Sequence, residues 1–242
     1  MKKIIELYRN SNPTVLDAFD TVVANICLQH ERHGYKSFLI TGCEPYVGTT
    51  SIAIELAISL SLTGWHTLLL DGDMRKNSNY KRLNENIFVG LADYIKGEAE
   101  ESDIIHKTNI NALDYIPFGN IKDSSPLRML YSQNLSILLT SLHQMYDYII
   151  IDAPATNTSV DSHIMSVKAD ASILVAALDG SSKKYLEQAR EQLTKAGGNV
   201  IGVIPNKASI EAYKEYTKDF DYFSKKRYLH GNHLRFDGTG KL

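Results

Sequence analysis

Residues 38–51 read FLITGCEPYVGTTS, an apolar run that passes through a loop of small residues into Gly48-Thr49-Thr50. The helix-forming run SIAIELAISL starts at Ser51 without a break. A strand, a tight loop and a helix in that order aim backbone N–H groups and a helix N-terminus at a bound phosphate. The usual pattern of such a loop is GxxxxGK(S/T), in which the lysine reaches the β/γ-phosphates and the hydroxyl binds Mg²⁺. Here Thr49 stands where the lysine belongs, and Thr50 keeps the hydroxyl. The cradle runs over Glu44, Pro45, Tyr46, Val47, Gly48, Thr49, Thr50 and Ser51. The expectation is a nucleotide site, for ATP or ADP with Mg²⁺, that lacks one positive charge.

Two acidic motifs supply the rest of the chemistry. Asp71 and Asp73, in LLLDGDMR, place two carboxylates at the end of an apolar run, with Arg75 two residues after the second. At a strand end such a pair suits Mg²⁺ ligation or activation of an attacking hydroxyl; the bland alternative is a pair of turn caps. Asp152 closes YDYIIID, the form of a Walker B strand, whose carboxylate holds Mg²⁺ directly or through water. The catalytic candidates are therefore Asp71, Asp73, Arg75 and Asp152, and the metal candidates Thr50, Asp71 and Asp152. Thr50 also suits a helix N-cap.

These residues need elements to hold them. Apolar positions at Val15, Leu16, Phe19, Val22, Val23, Ile26 and Cys27, behind Asn12-Pro13, predict a helix over residues 13–32. Strands are expected at 66–71, 113–117, 148–152, 171–177 and 199–204, besides the one that enters the loop. Helices are expected near 90–97, 102–107, 125–145, 161–167 and 183–195, with Pro126 in the first turn of the longest of these. Alternating strands and helices imply an α/β fold with a doubly wound, mostly parallel sheet. Such sheets bind ligands at the carboxyl ends of their strands, where the Gly48 loop, Asp71 and Asp152 would converge.

With these motifs in hand, the chain resembles the bacterial tyrosine kinases (BY-kinases) of capsule and exopolysaccharide synthesis, a branch of the MinD/ParA-like P-loop ATPases. The resemblance rests on the loop, on LDGDMRK and YDYIIIDAPA, and on GLADYIKGEAEESDIIHKTNINALDYIPFG at residues 90–119, which is similar to the family's GLSDYL…DII…T…LDVIPSG block. Val160-Asp161 and Gly202-Val-Ile-Pro-Asn206 match too, and the resemblance implies that Asn206 faces the adenine. It further implies phosphorylation of tyrosines in a C-terminal tail, here Tyr213, Tyr216, Tyr222 and Tyr228, and activation by a membrane-embedded adaptor or chain-length regulator.

The departures from the family pattern are specific. Tyr46 replaces a glycine and Thr49 the lysine, while Glu44 stands where MinD-type loops carry a second lysine. Removing one cation beside a transferring phosphate costs about 2–4 kcal/mol, a rate loss on the order of 10²–10³. In the first helix the family's Glu-x-x-Arg-x-x-Arg ring element is replaced by Asp17, Asp20 and Val23, so self-association weaker than the family's ring is expected. Three functions follow as alternatives: a tyrosine (auto)kinase, a pseudokinase that holds nucleotide and works through its adaptor or an active paralogue, and a positioning ATPase of the MinD/ParA type.

Composition sets the outer bounds. The 242 residues suit one large domain at 1–208, followed by a tyrosine-bearing tail at 209–242. A formal net charge of -2 argues against a nucleic-acid partner. Cys27 and Cys43 have no metal-ligand spacing and fit a reducing cytosol. MKKIIELYRN turns polar too soon for a signal peptide, and no apolar run approaches the roughly 20 residues of a membrane helix. The expected location is the cytoplasm, at the inner face of the membrane through a partner.

Overall fold

The computed structural model describes residues 4–74, 89–119, 125–178 and 180–209. Two compact units divide the chain, Met1–Lys207 and Ala208–Leu242, and nearly all described residues belong to the first. Arg75, Lys76 and the four tail tyrosines lie outside the described residues.

Among the described residues, seven strands form one sheet: β1 (Ser37–Gly42), β2 (Thr67–Asp71), β3 (His106–Lys107), β4 (Leu113–Ile116), β5 (Tyr148–Asp152), β6 (Ala171–Ala177) and β7 (Val200–Asn206). Their order is β3-β4-β2-β5-β1-β6-β7, and all neighbours are parallel except β3 and β4. Eight helices accompany them among the described residues: α1 (Pro13–His33), α2 (Thr49–Leu62), α3 (Leu91–Lys96), α4 (Glu101–Ile104), α5 (Pro126–Leu130), α6 (Gln133–Met145), α7 (Asp161–Lys168) and α8 (Lys183–Ala196).

Period-2 alternation sorts the central strands onto two cores. Phe38, Ile40, Leu69, Tyr148 and Ile150 face the core built with α1, α2 and α8. Leu39, Leu68, Leu70, Ile149 and Ile151 face the core built with α3 to α7. Both faces are covered, which is why β5 reads as an unbroken apolar run. Helix α2 is buried on nearly every side from Ile52 to Ser61, wedged between the sheet and α1. An all-round apolar helix is the expected sequence for such a place.

Two sequence expectations need correction. The helix expected over 125–145 is two helices, α5 and α6, because Ser132 takes extended backbone and its side chain accepts from Asn134 N, starting a new helix. The helix expected over 102–107 ends at Ile104; His106 and Lys107 pair antiparallel with Tyr115 and Asp114 instead. The N-terminal segment, for which apolar periodicity predicts no element, joins the fold: Ile5 bridges in parallel to Thr108, and Ile5 and Leu7 are buried in the first core.

At the amino edge of the sheet one carboxylate ties three elements together. Asp170 Oδ2 accepts from Lys36 N and Ser37 N at 2.8 Å, from the Ser37 hydroxyl at 2.9 Å, and lies 3.0 Å from His143 Nε2 on α6. Burial pushes the carboxyl up, but the bonds from Ser37, His143 and Lys36 outweigh it and hold the carboxyl below its ordinary value of 3.8. A depressed carboxylate contributes stability above its unfolded value, lost as pH falls through the folded one. Urea midpoints are therefore expected to fall more steeply below about pH 4 for the wild type than for Asp170→Asn, in which this titration is gone.

Candidate functional site

The site is assembled at the carboxyl edge by strand register. Asp71, the last residue of β2, pairs with Asp152, the last of β5, and Ile40 of β1 pairs with the same Asp152. Three neighbouring strands thus run side by side to this edge, where β1 continues to Gly42 and its loop leads into α2. Thr50 Oγ1 donates to Asp152 Oδ2 at 2.6 Å, and both residues are buried. Gly72 N donates to the Asp152 carbonyl at 2.8 Å, which locks the Asp71-Gly72 corner onto the Walker B strand. Asp71 Oδ1 accepts from Asp73 N at 3.0 Å, so Asp71 caps the turn as well.

The loop between β1 and α2 is held from several sides. Cys43 N donates to Val175 O at 3.0 Å and Thr156 N to Gly42 O at 3.0 Å, fastening the loop's first residues to β6 and to the segment after β5. Thr41 Oγ1 donates to Pro154 O at 2.6 Å. Gly42 is required by close approach: a Cβ there would lie 2.7 Å from Val47 Cγ2, 2.8 Å from Glu44 O and 2.9 Å from Thr49 Oγ1. Gly48 is required by conformation, with φ 93°, and a Cβ there would collide with Asn206 Nδ2. Gly48, not Thr50, is the N-cap of α2. The alternative N-cap role for Thr50 is thereby corrected, because the helix already begins at Thr49.

Asn206, at the end of β7, donates from Nδ2 to Val47 O at 2.8 Å. Its amide thus ties the sheet's last strand to the loop and borders the same edge as Thr50 and Asp152. Tyr46 adopts φ 64°, the left-handed region, and its side chain is 93% exposed. A side-chain residue pays roughly 1–2 kcal/mol to stand there, whereas the glycine usual at this position stands there freely. Tyr46→Gly is expected to leave the unfolding free energy unchanged or raise it by up to about 1 kcal/mol, since glycine's extra unfolded-state freedom offsets part of the gain. Gly48→Ala should lose about 2 kcal/mol or more, from both strain and collision. Denaturant titration of the two variants checks the contrast.

One contributor escaped the sequence reading. Tyr115 of β4 is buried, and its hydroxyl reaches Asp71 Oδ2 at 3.5 Å. The signal was available, since LDYIPFG carries tyrosine where the similar family block has valine. A buried tyrosine needs somewhere to direct its hydroxyl. The ring element compared in α1 is only partly on the surface: Asp17 and Asp20 are exposed, while Val23 is buried in the first core. Asp20's carboxyl is raised, by desolvation first and by Asp17 second, with Arg9 opposing.

The donor set fits a nucleotide's metal better than its phosphates. A hydroxyl and a carboxylate already 2.6 Å apart, with Asp71 beside them in register, provide hard oxygen ligands for Mg²⁺. The loop and the start of α2 offer backbone N–H groups to phosphate oxygens, but Thr49 brings a neutral hydroxyl where a cation normally sits.

Comparison with known proteins agrees with this geometry. A family model described as an AAA domain matches residues 45–201. The tyrosine-protein kinase CpsD of Streptococcus pneumoniae serotype 4 is 32% identical over 198 residues, covering 81% of this chain and 86% of the relative. Among solved structures, the chimerical protein CapA2B2 superposes with a TM-score of 0.71 at 26% identity, over 81% of this chain and 87% of that one. The septum site-determining protein MinD complexed with Mg-ADP, from Pyrococcus horikoshii OT3, superposes with a TM-score of 0.55 at 22% identity, over 74% and 76% of the two chains, a likeness of fold.

Proposed function

The chain belongs to the bacterial tyrosine-kinase family of capsule and exopolysaccharide synthesis, within the MinD/ParA-like P-loop ATPases, and from this we propose that it binds ATP with Mg²⁺ and acts as a slow protein-tyrosine kinase. The observation that carries the proposal is the Thr50–Asp152 contact of 2.6 Å, where the loop after β1 leads into α2 beside the end of β5. Thr50, Asp152 and Asp71 would hold the metal, the backbone of residues 46–50 the phosphates, and Asn206 the base. Bound Mg²⁺ supplies neutralisation of phosphate charge and alignment of the oxygens for in-line transfer. Asp71, with Asp73 and Arg75 after it, is the group for orienting an acceptor tyrosine hydroxyl and taking its proton. Tyr115 directs its hydroxyl to Asp71 Oδ2 at 3.5 Å. The acceptors are Tyr213, Tyr216, Tyr222 and Tyr228 in the tail.

Among the described residues no helix is long and apolar enough to cross a membrane. Attachment to the inner membrane face would come through a membrane-embedded adaptor, in keeping with the family. Thr49 favours a second reading, in which nucleotide is held but not turned over and the chain regulates an active paralogue through that adaptor. Incubation of the purified protein with ATP and Mg²⁺, followed by phosphotyrosine detection, decides between them. Slow incorporation into the tail supports the kinase, and binding of ADP without any incorporation supports the regulator. Failure to bind ADP at all would overturn both. The exposed Asp17 and Asp20 favour a monomer or small oligomer over a ring, which light scattering at micromolar concentration reports.

A further inference from the structure

We propose that Tyr46, at the tip of the phosphate-binding loop, is itself a phospho-acceptor, and that its phosphorylation closes the site to nucleotide. The inference rests on the nucleotide-binding reading above and extends it to the regulation of the same site.

The first argument is access. A tyrosine kinase must reach a phenol hydroxyl with its own active site, so exposure ranks candidate acceptors. Among the described tyrosines Tyr46 is 93% exposed, against 71% for Tyr131, 52% for Tyr8 and 45% for Tyr185. Tyr8 is further engaged, its hydroxyl donating to Glu6 at 2.9 Å. Tyr115, Tyr146 and Tyr148 are buried. Tyr46 takes left-handed backbone at φ 64° with its ring in solvent, while the next residue, Val47, is buried. That conformation is unfavourable for a tyrosine and is maintained by the fastened loop, a pattern associated with functional positions.

The second argument is what the modification would do there. The γ-phosphoryl group of ATP, held with Mg²⁺ on a separate tyrosine kinase molecule, would pass to Tyr46 Oη. The Oη–P bond forms, the bond from Pγ to the ADP oxygen breaks, and the phenolic proton leaves to that kinase's base. The product carries a charge of about −1.5 to −2 at neutral pH. It lies two residues from Gly48 and three from Thr49, where α2 starts and where, on the nucleotide-binding reading, backbone N–H groups meet the nucleotide phosphates. No lysine follows at residue 49 to offset it, and Glu44 adds a negative charge on the other side. The added phosphate either repels the nucleotide or occupies those N–H groups in its place, and both act in the same direction. A glycine at this position, as in the family's usual loop, has no such switch.

The test uses the full chain. It is incubated with ATP, Mg²⁺ and a phosphorylation-competent tyrosine kinase of the family, and phosphorylated peptides are mapped by mass spectrometry. Tyr46→Phe is treated in parallel, and calorimetry then measures ADP binding with Mg²⁺ for each protein against its own unmodified form. The expected result is phosphate on Tyr46 and a loss of ADP affinity on the order of tenfold in the wild type, with little loss in Tyr46→Phe. Any phosphate on other tyrosines is shared by both proteins and cancels. Absence of phosphate on Tyr46, or equal losses in the two proteins, overturns the proposal. The unmodified wild type tests the underlying reading separately: if it fails to bind ADP, the nucleotide-binding function is at fault, while the peptide map still reports whether Tyr46 is an acceptor.

Discussion

Thr49→Lys is expected to raise the rate of phosphotyrosine formation by on the order of 10²–10³ and to tighten binding of a non-hydrolysable ATP analogue. The backbone that would receive the phosphates is in place: Gly48 has the left-handed conformation, α2 begins at residue 49, and Thr50 stands against Asp152. What the loop lacks is charge, and a lysine at residue 49 supplies it without rebuilding the backbone. The side chain at this position is partly exposed, so a longer one has room to extend. The double variant Tyr46→Gly, Thr49→Lys separates charge from loop shape, because only the glycine relieves the left-handed strain. Radiolabel incorporation and calorimetry on the three proteins read both effects. An unchanged rate in Thr49→Lys, with robust incorporation already present in the wild type, would mean that another cation serves the phosphates, and the regulator reading would fall.

Asp152→Asn is expected to abolish the Mg²⁺ dependence of nucleotide binding while leaving the fold intact. The wild type should bind ADP at least about tenfold more tightly with Mg²⁺ than with chelator, and the variant with less than a twofold difference. Asparagine keeps the size of the side chain and an oxygen that still accepts from the Thr50 hydroxyl, so the local packing survives. It lacks the charge that a hard divalent cation needs. Asp152 is only 3% exposed, and a neutral amide is no costlier to bury there than the carboxylate it replaces. A variant that retains the full Mg²⁺ enhancement would place the metal on Asp71 instead.

Much of this protein was legible from local pattern. Helices α1 and α2 and strands β1, β2, β5 and β6 follow from apolar periodicity over residues that pack in one continuous core layer or another. The convergence of the Gly48 loop, Asp71 and Asp152 follows from motif order, because a parallel sheet places successive strand ends at one edge. Short elements were less legible. The break at Tyr131-Ser132 and the two-residue strand β3 depend on which partner a backbone group finds, and a window of a few residues does not carry that information.

Taken alone, the sequence determined the family, the two-sided burial of the sheet and the missing charge at Thr49, since each is written in residue type and spacing. Only the tertiary structure decided that Asp71 and Asp152 are register partners, that Asn206 donates to Val47, and that the Tyr115 hydroxyl reaches Asp71. It also decided that Val23 is buried while Tyr46 stands in solvent at φ 64°. These facts join residues far apart in the chain or depend on backbone dihedrals. Long-range pairing and the sign of φ are set by the packing of the whole sheet and its helices, and no local preference encodes them.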